Sequence, residues 1–240
     1  MKPDDTAPRI IGSHERRPAL FAGAALLLMA LLAGIAYGGI HGNLVVPGDE
    51  AATAANIHGH KVLWAFGIFT WGLIALLDAL VAFWLYRVFR ETHRGLSRAA
   101  MVARLVYTGV LLVAVAALFG AFSQGQALAW VMLFQRIWYA GLILFGIHLT
   151  LLALLSLRTG FIHGVFTILL FVAGPAYFVI HILFLIGGEA GDWGHRLQSV
   201  MMVPMTLAEL GLALWLIFIS VRNERKGNIS YSSADSFGTL

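Results

Sequence analysis

Long apolar runs separated by short charged blocks set the pattern of this chain, and six of the runs reach the roughly 20 residues that a helix needs to cross a bilayer. The pattern predicts helices over about Ala19 to Ile40, Val62 to Tyr86, Met101 to Phe122, Arg136 to Leu157, His163 to Ile186 and Ser199 to Val221. The first run lies in a 31-residue stretch, Pro18 to Gly48, free of Asp, Glu, Lys and Arg. The second is broken only by Asp78 and the sixth only by Glu209, while Arg104 enters the first turn of the third and Pro175 lies within the fifth. Arg16 and Arg17 ahead of Gly34-Ile35-Ala36 also resemble a signal peptide with its cleavage site, but the apolar stretch is too long for a typical leader, so the first span is expected to be retained.

Composition agrees with the pattern. The 240 residues are 60% hydrophobic and 12% charged, about half the charge of an ordinary soluble domain. With a mean hydropathy of +0.83, the expectation is an integral membrane protein of the all-α class. Its bundle of six transmembrane helices would occupy 18–222, between disordered cytoplasmic tails at 1–17 and 223–240. A net charge of +4 does not point to nucleic acid here, because the cations flank apolar spans, where topology accounts for them. The absence of cysteine excludes disulfides, thiolate metal sites and cysteine nucleophiles.

An even number of spans puts both termini on one side. Lys2, Arg9, Arg16, Arg17, Arg87, Arg90, Arg94, Arg98, Arg104, Arg158, Arg222, Arg225 and Lys226 then share that side, 13 of the 16 cations, leaving Lys61, Arg136 and Arg196 opposite. Positive charge stays in the cytoplasm, so both termini are expected there, and the loops near 41–61 and 187–198 outside. Trp64, Trp138 and Tyr139 near the outer ends, and Trp84, Tyr86 and Trp215 near the inner ends, suit either an aromatic belt or packing between helices.

Several stretches resemble a bacterial integral membrane family known as domain of unknown function 4386. They are Leu44 to Asp49 followed by Ala51 to His60, Leu76 to Arg90 with Ala103 to Gly109, Phe145 to Ile162, and Ala208 to Leu216. The resemblance implies a six-helix protein of the bacterial inner membrane in which Asp78, Arg104, Tyr107, His148 and Glu209 are typical. Three positions depart from it: His163 stands where relatives usually carry proline, and Trp71 and Tyr139 stand where acids are expected.

Independently of any family, Asp78, His148 and Glu209 are ionisable groups at membrane depth. At 1.5 Å per residue they lie roughly 13, 13 and 18 Å from the cytoplasmic ends of their helices. Inserting such a group at the helix centre costs about 2.5–3.5 kcal/mol on translocon scales, so each is expected to face the bundle interior and find a partner. For Asp78 the expected partner is Arg104, with Tyr107 and Thr108 on the same helical face. A cavity shared by Asp78, His148 and Glu209 would bind a metal, relay a proton, or serve as acid and base.

Histidines gather on the outer side: His41, His58, His60, His181 and His195, with Asp49, Glu50, Glu189 and Asp192. Imidazole with carboxylate suits zinc or copper, so an outer metal site is one reading and solvated loop residues the other. A bis-histidine haem, for example on His41 and His181, lacks an attachment motif. No familiar catalytic motif is present, which leaves open whether the chain is an enzyme. The leading expectation is a membrane protein whose central polar site binds or moves a proton, a metal ion or an amphiphile. The second is an accessory subunit of a membrane complex, and the third an intramembrane metal-dependent hydrolase.

Overall fold

The computed structural model describes residues 13–123 and 125–235, with side chains from 14 to 222. No strand occurs among the described residues. Helix α1 spans Ser13–Ala33 and runs on through a π-helical segment, Gly34–His41, and a last α turn, Gly42–Leu44. The short α2, Glu50–Gly59, lies in the loop before α3, Lys61–Ala117, whose end tightens into a 3-10 turn, Leu118–Phe122. Then come α4, Ala127–Thr159, α5, Gly164–Ile186, and α6, Gly188–Asp235. Five stretches are long and apolar enough to cross a membrane: 14–44, 61–122, 127–159, 164–186 and 188–222.

Helix α3 is where the expected second and third runs meet. Straight, its 57 residues would extend roughly 85 Å at 1.5 Å per residue, far beyond a hydrocarbon core of about 30 Å. It folds back instead at His93, whose φ of −150° and ψ of 79° leave the helical region. Three contacts across the fold fix an antiparallel register: Ser97 Oγ donates to the Tyr86 carbonyl at 3.1 Å, Arg104 meets Asp78, and Trp64 Nε1 donates to the Leu118 carbonyl at 3.2 Å. The His93 ring caps the returning arm, its Nδ1 accepting from the Leu96 amide at 3.2 Å, which supplies one of the partners that a helix start otherwise lacks.

Carboxylates set two further helix starts. Asp49 Oδ1 accepts from the Ala52 amide at 2.8 Å and opens α2. Glu50 reaches across to α4, where its two oxygens accept from the amides of Ala127 at 2.7 Å and Leu128 at 2.9 Å. An anion on the first amides of a helix is favoured by the helix dipole as well as by the hydrogen bonds.

Side by side, the long elements close a ring: α1 packs on α3, α3 on α4, α4 on α5, α5 on α6, and α6 back on α1. Small residues permit the closest approaches. A Cβ on Gly146 of α4 would lie 2.6 Å from the Gly174 carbonyl oxygen of α5, and one on Gly23 of α1 would lie 2.6 Å from that of Ala213 in α6. Apolar side chains cover the outside of the ring, among them Phe69, Val113 and Ile168, each at least 60% exposed. Trp64 is buried instead, at 2%, so this tryptophan belongs to the packing rather than to a belt. Helices α1 and α6 also extend past the expected domain limits of 18 and 222. No proline or glycine stops α1 between Ser13 and Arg17, and three helix formers, Glu224, Arg225 and Lys226, follow Arg222 before Gly227. The remainder of the two expected tails lies outside the described residues.

Candidate functional site

The two arms of α3 place Asp78 opposite Arg104, both buried. Arg104 Nη2 donates to Asp78 Oδ1 at 2.6 Å, and Thr108, one turn along from the arginine, donates to Asp78 Oδ2 at 2.5 Å. On its other side Arg104 Nη1 lies 3.2 Å from His148 Nε2, and His148 Nδ1 lies 2.8 Å from the Ala100 carbonyl. A guanidinium only donates. Nε2 of His148 is therefore the bare nitrogen, and Nδ1–H is given to the carbonyl. The Arg104 guanidinium also lies 5.3 Å from the centre of the Phe145 ring, within cation–π range. Asp78, Arg104, Thr108 and His148 form one knot in which the buried charges cancel.

Beside this knot, at the centre of the ring, is a cavity of about 180 Å³. All five long helices contribute to its wall: Leu26, Met29 and Ala33 from α1, Trp71, Asp78, Arg104 and Tyr107 from α3, Trp138 and Phe145 from α4, Tyr177 from α5, and Glu209 from α6. Tyr177 donates its hydroxyl to Glu209 Oε1 at 2.6 Å. Two residues of this wall, Arg104 and Trp138, also carry buried donors, Nε and Nε1, that have no hydrogen-bond partner. Such groups are costly unless something supplies an acceptor.

A second cavity, of about 260 Å³, adjoins it towards the amino-terminal end of α6, where His195 and Gln198 line it; residues 188–198, expected as a loop, are helical. Trp138, Leu142 and Tyr177 line both and form the partition between them. The outer cavity adds Tyr37, Tyr139, His181, His195, Gln198, Met202, Met205 and Thr206. Tyr37 projects from the π-helical segment of α1, whose glycines at 34, 38 and 39 leave its wider turns unobstructed; π-helical turns often mark functional sites.

Among the expected site residues, Asp78 and Glu209 share the central cavity, but His148 does not. It lies behind Arg104, which fills the space between the imidazole and the cavity. Tyr107 lies one turn from Arg104 and lines the cavity, with its ring 5.1 Å from that of Phe145. The five outer histidines are divided among three places. His41 packs with Tyr37, Trp64 and Phe134, His58 and His60 border a surface hollow beside Lys61, and His181 and His195 line the outer cavity. The five histidines, expected as one outer metal site, are thus spread over three places rather than gathered as one ligand set, and His41 and His181, expected as a haem pair, lie in different ones. Asp49 and Glu50 are committed to helix starts. Among the described residues no group of three or more His, Asp or Glu side chains is placed to hold a metal ion.

Tyr177 and Trp138 are the site residues that sequence reasoning passed over as functional groups, since neither carries charge and each reads as ordinary apolar packing. Trp71 and Tyr139, where the resemblance led to an expectation of acids, line the central and the outer cavity respectively. His163 begins α5, its Nδ1 accepting from the Val165 amide at 3.4 Å.

Residues 21–220 match the family model described as Domain of unknown function (DUF4386). The chain belongs to this family. Neither a curated protein nor a solved structure matches it.

Proposed function

We propose that the chain is a multi-pass protein of the bacterial inner membrane that binds or moves a small species through its central cavity. Each arm of α3 then counts as one crossing, for six in all, with both termini in the cytoplasm, the side that the distribution of Lys and Arg favours. The observation that carries the reading is the cavity lined by all five long helices, whose wall is largely apolar but includes the charged residues Asp78, Arg104 and Glu209, with Glu209 offering a carboxylate. At about 30 Å³ per water, its volume has room for about six waters or one small molecule. A leucine-lined bundle would pack without any of these groups.

The geometry separates the candidate species. Arg104 stands between Asp78 and His148 and engages both, so a divalent cation there would face a fixed positive charge and an imidazole already in use. This arrangement favours neither the metal-ion nor the metal-dependent hydrolase reading. A proton or a small amphiphile remains, acting at Glu209. The knot itself serves the accessory-subunit reading, since cancelled and bonded charges orient helices.

Because the sequence has no cysteine, single cysteines test the proposal cleanly. Leu142→Cys, buried on the partition, is expected to react with a small membrane-impermeant thiol reagent added from the periplasmic side, whereas Val113→Cys on the apolar outside stays unlabelled. An unreactive Leu142→Cys in a folded protein refutes a solute-accessible cavity.

A further inference from the structure

We infer that the species admitted by the outer cavity is a small organic cation, an amine or quaternary ammonium bearing apolar substituents; this rests on the proposed function and names its ligand class. The wall of the outer cavity is a run of aromatic rings in mutual contact. Tyr37 lies 5.4 Å from Trp138 between ring centres, Trp138 lies 6.4 Å from Tyr139, Tyr139 lies 5.5 Å from His181, and His181 lies 5.6 Å from Tyr177. Ring faces carry negative potential, and a box of them is how proteins hold quaternary ammonium groups.

Charge points the same way. Among the described residues, no Lys or Arg lines the outer cavity. In the central cavity one guanidinium, Arg104, meets two carboxylates, Asp78 and Glu209. Asp78 is spent on Arg104 and Thr108, which leaves Glu209 as the uncompensated group, held through one oxygen by Tyr177. Tyr177 belongs to both cavities and joins the aromatic box to the carboxylate. A cation passing from one to the other exchanges π faces for an ion partner and never meets an unpaired positive charge. An anion would face the ring potential first and Glu209 next. His181, which lines the outer cavity, has its Nδ1 2.7 Å from the Tyr177 carbonyl, so Nδ1 donates there and Nε2 is the bare nitrogen.

The size selects small ligands. About 260 Å³ is below the roughly 300–1,000 Å³ of pockets for drug-sized molecules, and it suits one aromatic ring with a trimethylammonium group.

Calorimetric titration of the full chain in lipid nanodiscs tests the inference with three water-soluble aromatic probes of similar size: benzyltrimethylammonium, 2-phenylethanol and phenylacetate. The cation is expected to bind at least tenfold more tightly than either comparator. Tyr139→Phe, which keeps the ring, should retain that affinity, while Tyr139→Leu should lose about tenfold, the equivalent of about 1.4 kcal/mol. Glu209→Gln should also weaken it, with melting temperatures recorded to show that each variant is folded. Equal binding of the three probes, tighter binding of phenylacetate, or cation binding indifferent to both Tyr139→Leu and Glu209→Gln overturns the inference. If 2-phenylethanol or phenylacetate binds best and depends on Glu209, the cation is wrong while the small-species site stands. If no probe binds and Leu142→Cys is unreactive, both readings fall.

Discussion

Replacing Asp78 by Asn removes one charge from the knot without changing its volume, and the structure says how much should follow. The carboxylate accepts from Arg104 at 2.6 Å and from Thr108 at 2.5 Å, and Arg104 is only 2% exposed. After the substitution the guanidinium keeps His148 Nε2 as its acceptor but loses its counter-charge. Breaking one side of a buried pair costs about 3–5 kcal/mol, because the remaining ion stays desolvated. Arg104→Met alone strands Asp78 in the same way, with Thr108 as its remaining donor. Removing both strands neither, so the double variant should lose about 2–3 kcal/mol less than the sum of the single losses. Reversible unfolding in mixed detergent micelles, followed by tryptophan fluorescence, measures all four corners of the cycle. Strictly additive losses would refute the reasoning, as would a coupling near the roughly 0.6 kcal/mol average for polar contacts between membrane helices.

Two further outcomes follow from the packing. Glu50→Ala should cost about 1–2 kcal/mol by releasing the first amides of α4, and hydrogen exchange at Ala127 and Leu128 should accelerate before that of the rest of the helix; unchanged exchange would show that the cap carries no weight. Gly146→Val should drive α4 from α5, since its Cβ would meet the Gly174 carbonyl oxygen at 2.6 Å, with a loss of at least 1–3 kcal/mol, whereas Gly72→Val, whose Cβ meets nothing within 4 Å, should leave the melting temperature near that of the parent.

The helices are legible because a lipid-spanning element must be apolar for most of its length, so each long run announces itself. The fold-back in α3 is legible only as a charged block from Arg87 to Arg98; that the backbone turns at His93 depends on a side-chain cap no pattern displays. Asp78 and Arg104 can be matched from sequence, since they lie 15 and 11 residues either side of His93 and so at similar depth. His148 misleads because depth says nothing about azimuth: it shares the slab with Glu209, but an arginine stands between it and the cavity. Asp49 and Glu50 read as metal ligands when counted among the outer histidines. The Pro47-Gly48-Asp49 turn ahead of an alanine-rich helix was the available signal for a cap. Tyr177 leaves no such trace, because its partner is 32 residues away on another helix.

The closed ring described above also orders assembly in time. A membrane chain emerges from its amino end, so the α3 hairpin is complete, and its two opposite charges neutralised, before α5 exists. Glu209 arrives last, on the element that must enter the gap between α5 and α1. Until that docking, the central cavity is a cleft open to lipid along one flank. Closure of the ring is thus the step that turns a groove open on one flank into a chamber walled by five helices, with Glu209 the last charged residue to join it.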